Sequence, residues 1–373
     1  VIISSGYVFL EPRVPYGLHY MVGGNAQMLE IMRDNVDELG LSATAEQFDS
    51  TLAQTRKMLR EQTIDIDVVS SDWSDEWGGN VELKLTNKAG HKFPSGYPAR
   101  RSWVEVRARI GDQTLWHSGA WSTENGSIIG VDEAGLSSYE PHHDVISDEG
   151  QVQIYELVAA DVTGSPTNLL ERAAFSLKDN RLTPKGFSYD HAVYDTTRVE
   201  GLAFDDVTFD VADGSDIIAY QFPSADAGGQ IEVDVNVWYQ AMPPRWVNSM
   251  FEFQDSTIQA FQTLFEAQGA APELVKDTTF VLNLSGTDVD ERLSKERWAV
   301  YPNPSNDGRV TMQVPERARG ILWEIYSMDG SRISSGWTTP GMKVDLPSAQ
   351  GTYAIRWHLS NGEVVTRKAV VRR

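Results

Sequence analysis

None of the 373 residues is cysteine, which excludes disulfides, thiolate metal sites and cysteine nucleophiles and turns attention to the seven histidines and the carboxylates. Two of the seven histidines sit together in Glu140-Pro141-His142-His143-Asp144. In an extended strand Glu140, His142 and Asp144 share one face and His143 takes the other. Carboxylate plus imidazole suits a first-row divalent ion, provided other ligands converge from elsewhere. The alternative is a strand that simply carries polar side chains. A second cluster spans residues 205–216, where Asp206, Asp210, Asp213 and Asp216 surround Gly214. Hard oxygen donors in a glycine-containing loop are what calcium takes, although the spacing is not that of an EF-hand. An acidic turn with solvated charges is the other reading.

The third candidate is the stretch NKAGHKFPSGYPARRSW, from Asn87 to Trp103. Pro94 and Pro98 fix φ and remove two donors, and Gly90 and Gly96 permit positive φ, so this is a shaped loop. It is far longer than the two residues a plain hairpin needs. His91, Arg100 and Arg101 could hold an anion there. Alternatively they bond loop carbonyls and pair with some of the many carboxylates. Signatures of enzymes are missing: there is no GxSxG, HExxH, P-loop or strand–helix GxGxxG. With 53 acids in the chain, a pair of carboxylates is not evidence of catalysis. The expectation is a protein that is not an enzyme.

The elements that must position these residues follow from periodicity. From Asn25 the apolar residues Met28, Leu29, Ile31, Met32, Val36 and Leu39 recur at helical spacing up to Gly40. Thr44-Ala45-Glu46-Gln47 fits a capping box for a second helix, which gives a helical hairpin over 1–63. From Ile64 the period is two, through IDIDVV, VELKL, WVEVRAR, LWHSG, QVQIYEL and IEVDVNVW. Helical patterns at Asn168–Lys178 and Arg245–Gln268 interrupt them. The expected fold is mainly β (α+β): an antiparallel Ig-like sandwich with helical insertions over 64–284, a polar linker at 285–298 and a small β-sandwich over 299–373.

Charge supports that division. The chain has a formal charge of −21, yet residues 299–373 carry ten Lys and Arg against six Asp and Glu. The acidity argues against nucleic acid or an anionic membrane surface as partner. No apolar run approaches the roughly 20 residues of a membrane span, and the N-terminus lacks a signal-peptide pattern. The absence of cysteine also excludes covalent c-type haem within this chain.

Two stretches resemble known families. Tyr301-Pro302-Asn303-Pro304, Gly308-Arg309-Val310, Ile325–Gly330, Gly351-Thr352-Tyr353 and the closing Lys368–Arg373 resemble the C-terminal sorting domain of the type IX secretion system. That resemblance implies the type IX machinery as partner and an extracellular or outer-membrane-surface location. Residues from about 17 to 240 resemble the haem-free C-terminal region of multihaem c-type cytochromes of the cytochrome c-552/4-like group. The matching words are His19–Asn25, Ala43–Asp49, Gly90–Arg101, Tyr139–Ile146, Gln151–Glu156 and Leu177–Leu182.

In that family the haems precede this region, and no CxxCH occurs here. The resemblance therefore implies haem c on an upstream segment or on a partner chain. The missing signal pattern favours an upstream segment. The resemblance also makes His19 a candidate axial ligand to such a haem, and His91, Arg100 and Arg101 candidates to cover its edge and propionates. The first functional expectation is a secreted haem-free region that supports and helps assemble an electron-transfer protein. A structural or adhesive surface protein, self-assembling and held by calcium, is the alternative. A metal-dependent hydrolase centred on Glu140–Asp144 is the third.

Overall fold

The computed structural model describes residues 20–372, apart from 75–77, 134–137, 224–229, 285–297, 316–317, 319, 329, 340, 348–349 and 360–363. The first helix, α1 (Ala26–Asp34), starts at Asn25, whose side chain accepts the Met28 N–H at 3.0 Å. It ends earlier than its apolar pattern, because the Asn35 side chain donates back to the Ile31 carbonyl at 2.8 Å and turn structure takes over. The capping box expected at Thr44 forms in both directions and opens α2 (Ala45–Gln62).

Strands β1 (Ile64–Ser74) and β2 (Gly78–Asn87) form a hairpin; β3 (Arg101–Ile110) and β4 (Gln113–Ser118) form another. Then come β5 (Val145–Ile146), β6 (Ile154–Tyr155), β7 (Leu157–Ala160), β8 (Pro166–Thr167), β9 (Phe175–Asp179), β10 (Ser215–Phe222) and β11 (Glu232–Gln240). After α3 (Pro244–Phe251) and α4 (Ser256–Gln268), β12 (Glu273–Val281) and β13 (Asn283–Leu284) follow. One sheet runs β13-β1-β2-β10-β5 and the other β12-β11-β3-β4, with β6 also on β3. Pairing is antiparallel except for the short β1–β13 and β5–β10 contacts.

The period-two alternation supplies the core. Val81, Leu83 and Leu85 of β2 and Ile218, Tyr220 and Phe222 of β10 share a buried cluster with Val104 and Val106 of β3 and Val233, Val235 and Val237 of β11. The helical hairpin is tied to this body by Arg56, which reaches Glu30 on α1 at 2.6 Å and Glu273 on β12 at 2.7 Å.

Two helical expectations change. Arg245–Gln268 is not one helix, because the Asp255 carboxylate takes the Thr257 and Ile258 N–H groups and starts α4 afresh. Asn168–Lys178 holds a single 3₁₀ turn at Leu170–Arg172 and then strand β9, paired with β7. Leu169, Leu170 and Phe175 are exposed, so no helical face exists to bury.

The remaining strands are β14 (Ala299–Tyr301), β15 (Arg309–Gln313), β16 (Leu322–Ser327), β17 (Arg332–Trp337), β18 (Lys343–Asp345), β19 (Gly351–His358) and β20 (Val364–Val371). They form sheets β14-β15-β18 and β17-β16-β19-β20 around a core containing Trp298, Ile325, Ile355 and Trp357. Asn303 donates to the Lys368 carbonyl at 2.6 Å and accepts the Val370 N–H at 2.9 Å. The YPNP segment is thereby fastened to the last strand.

Candidate functional site

The loop that follows Asn87 leaves β2 in one sheet and delivers the chain to β3 in the other, which is why it is long. Asn87 itself clasps it. Its buried amide nitrogen lies 2.8 Å from the His91 carbonyl and 3.0 Å from the carbonyls of Leu182 and Thr183, and its oxygen accepts the Ala89 N–H. Phe93 exchanges two backbone hydrogen bonds with Leu182, and its ring stacks on Tyr239 of β11 at 6.1 Å.

Gly96 has φ of +92°, and a Cβ there would lie 2.7 Å from the Arg100 guanidinium. Only glycine lets that side chain lie across the loop, where it donates to the Ser95 carbonyl at 2.9 Å. At Gly24 a Cβ would lie 2.6 Å from the Tyr239 hydroxyl. The chain before α1 and the loop thus close around a cavity of about 540 Å³, lined by Tyr20–Gly24, by Lys57 and Met58 of α2, and by Lys88–His91, Phe93, Arg100 and Tyr239.

Of the residues expected there, His91 is exposed and its Nδ1 meets the Lys92 carbonyl at 3.0 Å. Arg101 is turned away. It is 3% exposed, donates twice to Gln240, pairs with Glu133 at 2.7 Å and lies over the Trp103 ring. Its role is to hold β3 to its surroundings, not to meet a ligand in this cavity. His19 lies outside the described residues. Lys57, Lys88 and Tyr239 are lining residues that pattern reading did not pick out. Lys88 lies within the Asn87–Trp103 stretch, whereas Lys57 on α2 and Tyr239 on β11 carry no local signal that would mark them.

The two metal-like clusters are rearranged. Residues 138–144 are not a strand, so Glu140, His142 and Asp144 do not share a face. Glu140 accepts from His143 Nε2 at 2.7 Å, and Asp144 is exposed. The four aspartates also part company. Asp210 caps a turn through the Ala212 and Asp213 N–H groups, while Asp213 pairs with Lys84 at 2.8 Å. One histidine and two aspartates meet instead: ligand atoms of His142, Asp206 and Asp216 all lie within 4.8 Å of one another. The signal for Asp216 was available in the sequence, since it alternates in phase with Ile218, Tyr220 and Phe222 and so points inward.

Hydrogen bonding decides what this cluster can do. His142 Nδ1 lies 2.8 Å from Gln153 Nε2 and 3.1 Å from Asn180 Nδ2. Both amides are oriented by backbone partners. Gln153 Oε1 accepts the His143 N–H, Asn180 Oδ1 accepts the Glu156 N–H, and Asn180 Nδ2 donates to the Ile154 carbonyl. Nδ1 is therefore an acceptor, and the ring proton sits on Nε2, 3.1 Å from Asp206 Oδ2 and 3.9 Å from Asp216 Oδ2. A metal at Nε2 would need that lone pair, and would leave an Nδ1–H facing two other N–H donors. The residues do not fit an imidazole-bound metal.

They form a buried polar lock. Burial works to raise the Asp206 carboxyl, but hydrogen bonds from His142 and Thr208 win and hold it below the usual carboxylate range. Asp216 goes the other way. Burial pushes it up to about 6, with Asp206 adding to the rise and His142, Tyr155 and Gln153 opposing it. Its Oδ2 accepts from the Tyr155 hydroxyl at 2.7 Å and from Gln153 at 3.1 Å, while its Oδ1 has no hydrogen-bond partner among the described residues.

No family model matches the chain, and no curated protein matches it. Among solved structures it is similar to a penta-haem cytochrome c552 from Thermochromatium tepidum, at 17% identity and a TM-score of 0.36 over 61% of this chain. The chain spans 41% of that cytochrome's length. The BSP domain of a biofilm-associated protein aligns at 8% identity and a TM-score of 0.18, over 87% of this chain and 55% of that one. The CupB2 chaperone of Pseudomonas aeruginosa aligns at 10% identity and 0.17, over 79% and 93%. Likenesses this distant assign neither a fold family nor an activity.

Proposed function

We propose that residues up to 284 are the haem-free scaffold of an extracellular multihaem cytochrome-like protein, and that residues 299–373 are a type IX sorting domain. In this reading the chain is not an enzyme; it positions and shields haems carried by an upstream segment or a partner. The observation that supports the scaffold reading is where the matched words go. His142, Gln153, Tyr155 and Asn180, from the words at 139–146, 151–156 and 177–182, build the buried lock. The words at 19–25 and 90–101 build the cavity. They serve as fold-holding parts, and His19 directly precedes a residue of the cavity wall. The sorting reading is supported by the fastening of Asn303 to the closing strand, which joins the two ends of that resemblance.

The experiment is the denatured intact mass of the protein isolated from its own organism, where thioether-linked haem survives. A longer polypeptide carrying haem-sized increments supports the scaffold. A mass equal to this chain, or to this chain less its last 75 residues or so, with no haem-bearing partner co-purifying, refutes it.

A further inference from the structure

The charge of the cavity's wall runs against that of the chain. The sequence carries 53 acidic and 32 basic residues, yet the described lining holds Lys57, Lys88, Arg100 and His91 and not one carboxylate. These cations are not all occupied. Lys57 makes no hydrogen bond or ion pair among the described residues, while Lys88 pairs with Asp65 at 3.2 Å and donates to the Glu61 carbonyl at 3.3 Å. Arg100 is held by the Ser95 carbonyl and by Tyr239, beside Gly96. Gln54, Gln62, Thr63 and Ser95 add neutral polar groups, and an apolar and aromatic part of the wall comes from Tyr20, Met21, Met58, Leu59, Phe93 and the Tyr239 ring. A volume of about 540 Å³ is that of a small-molecule site, and methionine with stacked aromatic rings suits a flat apolar body.

We propose that this cavity binds an amphipathic carboxylate, a flat apolar body seated on Phe93, Tyr239 and Met58 with its acid group drawn to Arg100 and Lys57. Arg100 supplies the N–H groups that Ser95 and Tyr239 leave over, and Lys57 a mobile charge at the wall. The net charge of −21 repels an anion at long range while these cations attract it at close range, so the charge of the pocket is read from the cavity variants and the uncharged probe. The inference stands independently of where any haem is carried.

The test uses the full chain and 1-pyrenebutyrate, whose fluorescence reports its surroundings; pyrenebutanol has the same body without charge, and inorganic phosphate is charge without the body. The expected result is saturable binding of pyrenebutyrate. It is about tenfold weaker for pyrenebutanol and for Arg100→Ala, the weight of one charge-assisted hydrogen bond. Lys57→Glu, at an exposed helix position, weakens it with the far-ultraviolet spectrum intact, and Arg309→Ala, 74% exposed in the C-terminal sheets, leaves it unchanged. No saturable binding, equal affinity for the alcohol, or insensitivity to both cavity variants overturns the proposal. Displacement by phosphate at the same concentration overturns the part assigned to the apolar body.

Discussion

Replacing Asp216 by Asn tests the buried lock most directly. The carboxyl is fully buried in line with Ile218 and Tyr220, and its pKa in the fold is about 6 against an ordinary 3.8. A shift of about two units corresponds to about 3 kcal/mol at about 1.36 kcal/mol per unit. The raised value means that the folded state holds the proton more tightly than the unfolded one. The carboxyl's contribution is therefore most favourable below about pH 4 and is lost as pH rises through about 6.

Asn keeps an oxygen for Tyr155 and Gln153 but never ionises. Denaturant unfolding of both proteins from pH 4 to 8 should give a stability difference near zero at the acid end. That difference grows by about 3 kcal/mol in favour of Asp216→Asn, chiefly between pH 4 and 6. Comparing the two proteins removes the other carboxylates, several of which are depressed and titrate with the opposite sign. A difference independent of pH, or one that moves against the variant as pH rises, would show that Asp216 is not held as a strained anion.

Three further outcomes follow from the geometry. Asn87→Ala removes the amide donor shared by the His91, Leu182 and Thr183 carbonyls and should cost about 1–3 kcal/mol, with amide exchange at Phe93 and Leu182 accelerating. Arg101→Ala strands Glu133 and Gln240 in a buried setting and should cost about 3–5 kcal/mol in denaturant unfolding, far more than a loop arginine would. Chelation by EDTA should leave the melting temperature where it was, because Asp210 and Asp213 are engaged by the turn and by Lys84 and the His142 proton occupies the metal-facing position; a clear fall on chelation would restore a calcium-held reading.

What the sequence made legible is what short range determines. The alternation in VELKL, WVEVRAR and IEVDVNVW directly marks the inward faces of β2, β3 and β11. The Thr44 cap is likewise a local rule and forms as read. Asn168–Lys178 misled because Leu, Glu, Arg and Ala favour a helix, whereas pairing with β7 decides its conformation. The site was legible only in fragments. In sequence His142 stands with Glu140 and Asp144, but its partners Asp206 and Asp216 lie 64 and 74 positions away and become neighbours through the pairing of β10 with β5 and β2. Pattern can say that Asp216 points inward; it cannot say what it meets there.

The clamp from the helical hairpin to β12 has a consequence for how copies of the protein meet. β12 is the terminal strand of its sheet, the place where another chain could add itself by backbone pairing. Arg56 fixes α2 to the start of that strand, and Arg60 lends a side-chain N–H to the Leu274 carbonyl at 3.4 Å. The hairpin is a guard on an otherwise adhesive margin. Cutting the Arg56 pair would loosen the guard, and loss of solubility through strand addition would then precede loss of the fold.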